Sequence, residues 1–563
     1  MKSLKVLLIA IMGTLTIIAG CKKFDKMLTD PNSPAPETAD VDLYLNTVQL
    51  GFADFYAAQG VEPGLSQNGE DLTRMEYMAS RTYKDLYNPE SFDNAWRDAY
   101  QVVFKNANAL ITVAQKSDRH LHIGMAKVLK AYTAATLVDF FGDVPNSEAN
   151  LGIENTNPKA DPGKNVYDSV FALLDSAIAS FNRVTTLTSR PTNDLFYTAS
   201  SATAEAANWR RAAKTLKLKL YNQVRLVDNT VQPKITALLA DGELITTDAQ
   251  AFVFKYGSKA VNPNSRSPKF NNYYGSTGAN GYLGNYFMYV VYAEKGLGLD
   301  PRWRYYFYRQ IGNVTILPVS TLECLTSTAP AHYPADAPFC YANVAGFYGR
   351  DHGNDRGIPP DNFQRAIWGI YPAGGKFDND EKARIKGDGT DGAQGQGILP
   401  LWQPAFTEFV KAEDALTLGT PGDAKTLLES AIRKSIATVV AYPGTVGISV
   451  PSTRVPTAAA IQAYVDKVLQ LYNAAPADAD KLNVIMKEYY IALWGNGIES
   501  YNNYRRTGMP RNMQPNLNPS PGAFLRSMFY PGSFANRNNT ITQKTATNVK
   551  VFWDNNPDNL FVN

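Results

Sequence analysis

The sequence predicts a mostly α-helical protein with a large loop-rich part, and three observations support this prediction. Apolar residues recur at helical spacing along much of the first and last thirds of the chain. One six-residue pattern occurs twice. Two long regions lack a helical period and are dense in glycine, proline, asparagine and aromatic residues. Because 44% of the 563 residues are apolar, a large core can form and wholesale disorder is excluded.

The first forty residues are expected to form a targeting signal followed by a tether. Lys2 and Lys5 precede an apolar stretch, and the run from Ile18 to Cys21 (Ile-Ala-Gly-Cys) matches a bacterial lipobox. Residues 1–20 are then a signal peptide, and 21–40 hold the lipidated Cys21 and a proline-rich tether. An ordinary secretory signal followed by an unrelated cysteine is the alternative. The body is expected to span 41–563 as one domain.

The body contains several segments with helical periodicity. The stretch 123–141 is apolar nearly all round, which predicts a deeply packed helix. In 209–224 some leucines alternate as in a strand, but steps of three and four and the length favour a helix. In chain order, helices are expected near 41–59, 123–141, 209–224, 404–418, 423–439, 457–474 and 481–494.

The repeated pattern predicts paired helices. Leu173–Ile178 (LLDSAI) recurs as Leu427–Ile432 (LLESAI), and a Lys-Ala-x-x-Ala motif precedes each copy, at Lys130 and at Lys411. Small residues at such spacing allow the close helix packing of tetratricopeptide-like pairs. The helical scaffold is therefore expected mainly in 41–230 and 400–500.

The regions 252–400 and 503–563 are expected to form a loop-rich subdomain on this scaffold. The best strand candidates in it are 251–254 and 314–317. Cys324 and Cys340 flank a run with three prolines, so they form either a disulfide or two free thiols, and an oxidising exterior favours the disulfide. The adjacent Arg505 and Arg506 predict a buried pair that ties a turn to neighbouring carbonyls.

Several function classes are excluded or disfavoured. The near balance of 55 basic and 52 acidic residues argues against nucleic-acid binding. Gly387–Gly392 fits a dinucleotide-binding pattern but follows no buried strand and opens no helix, so a turn-rich loop is expected. No activated nucleophile stands out. No cofactor is expected, although carboxylates of the same region leave a structural calcium ion open: Asp378, Asp380, Asp388 and Asp391.

Taken together, these residues resemble the SusD/RagB family, in its SusD-like branch from Bacteroidota. The most specific segments are Phe140–Ala149 (FFGDVPNSEA) and Arg505–Pro510 (RRTGMP). The resemblance also involves the lipobox at Cys21 and the segments 130–132, 300–302, 349–352, 371–375 and 495–497. After Tyr530 the family pattern has an acidic residue where this chain has Ser533 and Phe534.

The resemblance implies four tetratricopeptide-like helix pairs with a variable loop-rich half, and no catalysis. It implies a nutrient-binding lipoprotein of the outer membrane that faces the exterior and acts as a lid for a SusC-like TonB-dependent barrel. The ligand would be an oligosaccharide, or a peptide as in RagB. A lipid-anchored helical glycoside hydrolase is the less favoured alternative.

Loop aromatic residues are the candidates for ligand contact, because aromatic rings stack on the apolar faces of sugars while polar side chains bind the hydroxyls. At least two rings are expected to converge with a polar group on one exposed face. For each ring taken singly, core packing is favoured over ligand contact, and Trp96 in particular is expected to pack in the core. The candidates are Tyr83, Tyr87, Trp303, Tyr333, Tyr348, Arg350, Asp351, Trp368 and Tyr371.

Overall fold

The structure is a computed structural model, and it describes residues 40–57, 64–312, 324, 327–341, 345–355 and 361–563. Cys21, its tether and the strand expected at 314–317 lie outside these residues. The described chain is mostly helical, as the sequence predicts. The α-helices are α1 Val41–Ala57, α2 Leu65–Leu72, α3 Tyr83–Leu86, α4 Asp93–Arg97, α5 Lys105–Gln115, α6 His120–Phe141, α7 Gly163–Phe181, α8 Ala202–Val224, α9 Val231–Asp241, α10 Pro268–Tyr273, α11 Asn285–Tyr292, α12 Trp303–Tyr306, α13 Pro404–Leu418, α14 Ala424–Thr445, α15 Ala458–Ala474, α16 Asp478–Ala492, α17 Gly497–Thr507 and α18 Gly532–Ala535.

Four helix pairs form the scaffold: α6 with α7, α8 with α9, α13 with α14, and α15 with α16. The two copies of the repeated pattern lie on α7 and α14, and the Lys-Ala-x-x-Ala motifs lie on their partners α6 and α13. Small residues bring the first pair close, because a Cβ on Gly124 would lie 2.3 Å from the ring of Phe181. The internal repeat is therefore a repeat of helix hairpins.

Local signals set the ends of these helices. Ser201 caps α8 by accepting a hydrogen bond from the backbone N–H of Ala204 at 3.2 Å, and Asp423 caps α14 by accepting one from Thr426 at 2.8 Å. Gly419 follows α13 at φ 65°, a left-handed conformation that stops a helix and suits glycine. Because such caps and terminating glycines are local features, the ends of these helices can be predicted from sequence.

Helix α6 lies at the centre of the scaffold. Nearly all of its side chains are buried, which agrees with the apolar pattern that runs around it. Its one acidic residue, Asp139, accepts hydrogen bonds from Asn502 at 2.8 Å and from the indole of Trp553 at 2.9 Å. Helix α6 thus joins the helical scaffold to the C-terminal loops.

The region 252–400 is mostly irregular, with short helices and two small antiparallel sheets. Strand β1 (Phe252–Lys255) pairs with β4 (Ile398–Trp402), and β2 (Phe307–Tyr308) pairs with β3 (Ile367–Trp368). Strand β1 matches the strand expected at 251–254. Within the described residues, no helix combines the length and the apolar character that crossing a bilayer requires.

Candidate functional site

An open cleft of about 340 Å³ lies among the irregular segments, and it is the candidate ligand site. Arg81 contributes from the turn before α3, and the other lining residues come from Cys324, from 327–339, from 353–355 and from 517–519. We call it the loop cleft, and its lining residues are Arg81, Cys324, Ser327, Thr328, Pro330, Phe339, Gly353, Asn354, Asp355, Leu517, Asn518 and Pro519.

The walls of the loop cleft combine an aromatic ring with an exposed ion pair. Phe339 is half-buried and packs edge to face on Tyr333, with ring centroids 5.9 Å apart. Arg81 and Asp355 form an ion pair at 3.0 Å, and their side chains are 53% and 37% exposed. Because both charges still face water, their hydrogen-bonding groups can reach a ligand, while the ring offers apolar surface.

A disulfide and a buried carboxylate hold the loop that carries Phe339. Cys324 and Cys340 are joined, with Cα atoms 5.5 Å apart. Asp351 accepts hydrogen bonds from the backbone N–H of Cys340 at 3.1 Å and from the amide of Gln514 at 2.6 Å. Burial raises the pKa of Asp351, although these hydrogen bonds favour its charged form. From the protein interior, Asp351 therefore holds the segment that places Phe339 in the wall of the cleft.

The floor of the loop cleft is tightly packed. Gly353 has φ 78°, and a Cβ at this position would lie 2.1 Å from the side-chain oxygen of Asn516, so the close approach requires glycine. Beneath it, the buried ring of His352 lies 3.4 Å from the hydroxyl of Tyr83. Burial, with a smaller contribution from Arg74, lowers the pKa of His352 well below its usual value. The imidazole is therefore neutral at pH 7 and serves the packing.

The burial values correct the expectation of an exposed face built from the nine candidate residues. Each of them is at most 9% exposed, so their side chains face the protein interior rather than a ligand. The rings fill the core of the loop-rich half, which has few regular elements to supply apolar side chains. Among the candidates, Tyr333 contacts the loop-cleft ring of Phe339, and the backbone carbonyl of Asp351 accepts a hydrogen bond from the backbone N–H of the lining residue Asn354 at 3.1 Å. The buried candidates are Tyr83, Tyr87, Trp303, Tyr333, Tyr348, Arg350, Asp351, Trp368 and Tyr371.

Specific contacts explain why these residues are inside. Trp368 stacks on Trp494 with ring centroids 3.6 Å apart, and its indole donates a hydrogen bond to Glu76 at 2.5 Å. The guanidinium of Arg350 lies 4.2 Å from the centre of the Tyr282 ring. These side chains anchor the loops to one another.

Trp303 is covered by two arginines, with the guanidinium carbons of Arg304 and Arg309 at 4.1 and 4.7 Å from its ring centre. Tyr348 donates a hydrogen bond to Asp361 at 2.6 Å. Tyr371 packs edge to face on Tyr442, with ring centroids 5.3 Å apart.

The aspartates considered for calcium are paired with protein groups. Asp378 accepts a hydrogen bond from Arg309 at 2.7 Å, and Asp380 forms ion pairs with Arg304 at 2.9 Å and Arg454 at 2.8 Å. Within the described part of the chain, no three acidic, histidine or cysteine side chains form a group suited to a metal ion. These carboxylates hold loops together.

The comparisons with known families agree on one family. Residues 31–288 match the SusD-like family described as "Starch-binding associating with outer membrane", and residues 394–558 match the one described as "Susd and RagB outer membrane lipoprotein". Together the two matches cover about three quarters of the chain. Among curated protein sequences, none matches the chain.

Solved structures show the same fold. A SusD/RagB family protein from Bacteroides thetaiotaomicron is 19% identical, with a TM-score of 0.64 over 92% of this chain and 100% of that one. A SusD homologue from Bacteroides fragilis is 16% identical, with a TM-score of 0.64 over 92% and 99% of the two chains. A chitin-binding SusD homologue from Flavobacterium johnsoniae is 17% identical, with a TM-score of 0.59 over 92% and 100%.

Proposed function

This chain belongs to the SusD/RagB family, whose members are binding proteins of the outer membrane rather than enzymes, and we propose that it binds an oligosaccharide in the loop cleft. We further propose that it passes this ligand to a SusC-like TonB-dependent barrel, for which it acts as a lid. In this proposal lipid chains on Cys21 anchor the protein to the outer membrane, and its body faces the exterior.

One observation carries the ligand proposal: the half-buried ring of Phe339 lies in the same open cleft as the exposed pair of Arg81 and Asp355. A sugar ring has apolar C–H faces edged by hydroxyl groups, so it fits an aromatic surface next to groups that donate and accept hydrogen bonds. The disulfide and Asp351 hold the cleft in shape without a ligand, which lowers the ordering cost of binding.

A glycan is favoured over a peptide for two reasons. The cleft presents a mixed wall rather than an exposed strand edge or a long apolar groove, which are common ways to bind peptides. Structural neighbours include two proteins described as chitin-binding, and one matching family is described as starch-binding. Peptide binding is an outcome that the test below can detect.

Substitutions at the loop cleft test this proposal. We expect Phe339→Ala and Arg81→Ala each to weaken oligosaccharide binding roughly three- to tenfold, because each removes one contact worth about 1 kcal/mol. Maltohexaose, chitohexaose and mixed tetrapeptides would be screened by calorimetry on the folded mature protein.

Phe171→Ala is the matched control, since Phe171 is also half-buried and lines neither this cleft nor the one described below. Unchanged affinity in both loop-cleft variants would contradict the assigned site. Binding of tetrapeptides without binding of either glycan would contradict the ligand class.

A further inference from the structure

A second cleft, of about 290 Å³, lies on a different surface of the protein. It shares no lining residue with the loop cleft. We call it the aromatic cleft, and its lining residues include Trp96, Tyr100, Gln101, Asn150, Phe534 and Arg537. Its volume is near the lower end of ~300–1,000 Å³, the range of small-molecule sites, so it suits a short ligand.

Three aromatic rings meet in this cleft. The ring of Trp96 lies 4.9 Å from that of Tyr100 and 4.7 Å from that of Phe534, measured between centroids, and both neighbours are tilted against it. Trp96 itself is only 8% exposed, whereas Tyr100 and Phe534 are half-buried. The two outer rings therefore offer the accessible aromatic surface, and Trp96 supports them from below.

Hydrogen bonds hold the outer rings in place. The carboxylate of Asp93 accepts hydrogen bonds from the backbone N–H of Ser533 at 3.2 Å and from its hydroxyl at 2.6 Å, which fixes α18 and with it Phe534. The hydroxyl of Tyr100 donates to the carbonyl of Pro145 at 2.8 Å. The cleft is thus assembled from segments that lie far apart in sequence, and it has its shape without a ligand.

The rim of the aromatic cleft carries polar groups that can face a ligand. Gln101 and Arg537 are exposed, and neither side chain makes a hydrogen bond or ion pair within the described part of the chain. The amide of Asn150 donates to the carbonyl of Tyr100 at 2.9 Å, which leaves its side-chain oxygen as an acceptor. Donors and an acceptor therefore surround the rings.

We propose that the aromatic cleft is a second carbohydrate subsite, which holds one pyranose ring against Phe534 and Tyr100. The sugar's apolar face stacks on these rings, and its hydroxyl groups bond to Gln101, Asn150 and Arg537. This inference rests on the proposed glycan-binding function, but it concerns a separate surface. A purely apolar partner would leave the polar rim unpaired, which is costly, so a ligand with many hydroxyls fits better.

The test weakens binding at the loop cleft, so that the contribution of the aromatic cleft to the remaining binding can be measured. Maltohexaose and chitohexaose are titrated into the mature protein and into Phe339→Ala, with calorimetry and tryptophan fluorescence as readouts. We expect residual binding in Phe339→Ala, and we expect Phe534→Ala or Arg537→Ala added to this variant to weaken it roughly three- to tenfold. Adding Phe171→Ala instead should leave it unchanged.

Two controls keep the result clear. Arg537 is exposed and makes no described side-chain contact, so Arg537→Ala tests the subsite even where Phe534→Ala lowers stability. Thermal unfolding is compared for all variants.

The second subsite is overturned when neither Phe534→Ala nor Arg537→Ala changes the residual affinity of Phe339→Ala, or when Phe339→Ala alone removes all binding. In these cases the proposed function stands. When neither glycan binds the unmodified protein, both proposals fail.

Discussion

At the scale of single residues, buried ion pairs connect the C-terminal region 503–563 to the helical scaffold. Glu413 on α13 forms ion pairs with Arg506 at 2.6 Å and with Arg225 at 2.7 Å, and all three side chains are at most 4% exposed. Burial would raise the pKa of Glu413, but the two arginines lower it below the usual value. The sequence predicts that Arg505 and Arg506 are buried and bind neighbouring carbonyls. Arg505 does so, donating to the carbonyl of Arg526 at 2.7 Å, whereas Arg506 is buried but pairs with the carboxylate of Glu413 instead.

We expect Glu413→Gln to lower the free energy of unfolding by about 3–5 kcal/mol, because it leaves two buried guanidinium groups without a counter-charge. Urea denaturation of the mature protein measures this. The control is Glu429→Gln, which breaks the exposed pair with Arg433 at 2.7 Å and should cost no more than about 0.5 kcal/mol. Equal effects of the two substitutions would contradict the structural role of Glu413.

The same ion pairs predict a pH dependence. A carboxyl group whose pKa is lowered on folding stabilises the protein above its unfolded pKa, and this contribution is lost as the pH falls through the folded pKa. The pKa of Glu413 falls below its usual value of 4.5 on folding. The unmodified protein should therefore lose stability below about pH 4.5 more steeply than Glu413→Gln, as acid titration at fixed urea would show.

At the scale of elements, helices α2 and α17 cross with a close approach of their backbones. A Cβ on Gly69 would lie 2.1 Å from the carbonyl oxygen of Gly497, and one on Gly497 would lie 2.0 Å from that of Ser66. Backbone atoms cannot move aside as a flexible side chain can, so glycine is required at both positions.

We expect Gly69→Ala to destabilise the protein by about 1–3 kcal/mol, the cost of overpacking a tight contact. Gly444 in α14 provides the matched control, since a Cβ there meets nothing within 4 Å. Gly444→Ala should leave stability unchanged or raise it slightly, because alanine favours a helix. Thermal unfolding of the two variants distinguishes the outcomes, and a neutral Gly69→Ala would contradict the tight crossing.

The helices and the loops differ in how far they can be predicted from sequence. Helix α13 begins and ends where its pattern predicts, and α8 begins seven residues earlier than predicted only because its first turns are weakly apolar. The sequence patterns that determine these helix ends involve residues close together in the chain. The loop cleft brings Arg81 next to Asp355 and Phe339 through contacts between distant segments, and no local pattern encodes these. The aromatic residues of the loops were visible in the sequence, but their burial depends on the same long-range packing.

Taken as a whole, the protein is proposed to work as one partner of a two-protein transporter. We expect it to co-purify with a TonB-dependent barrel when outer membranes are dissolved in a mild detergent, because a lid needs a lasting contact with the channel it covers. Mass spectrometry of the purified complex identifies the partner. Deletion of that barrel should abolish uptake of the bound glycan while this protein stays in the membrane fraction. Purification as a free monomer under these conditions would contradict the lid role.

The attachment of the whole molecule to the membrane should depend on Cys21 alone. Each buried methylene of a lipid chain contributes about 0.8 kcal/mol, so several acyl chains hold a protein firmly whereas none leaves it free to diffuse away. Cys21→Ala should therefore yield a soluble protein or an unprocessed precursor, detected by membrane fractionation and by mass. The double variant Cys324→Ser/Cys340→Ser is the control, and it should remain in the membrane fraction because its lipobox is intact. A processed, lipidated Cys21→Ala protein in the outer membrane would overturn the lipobox interpretation.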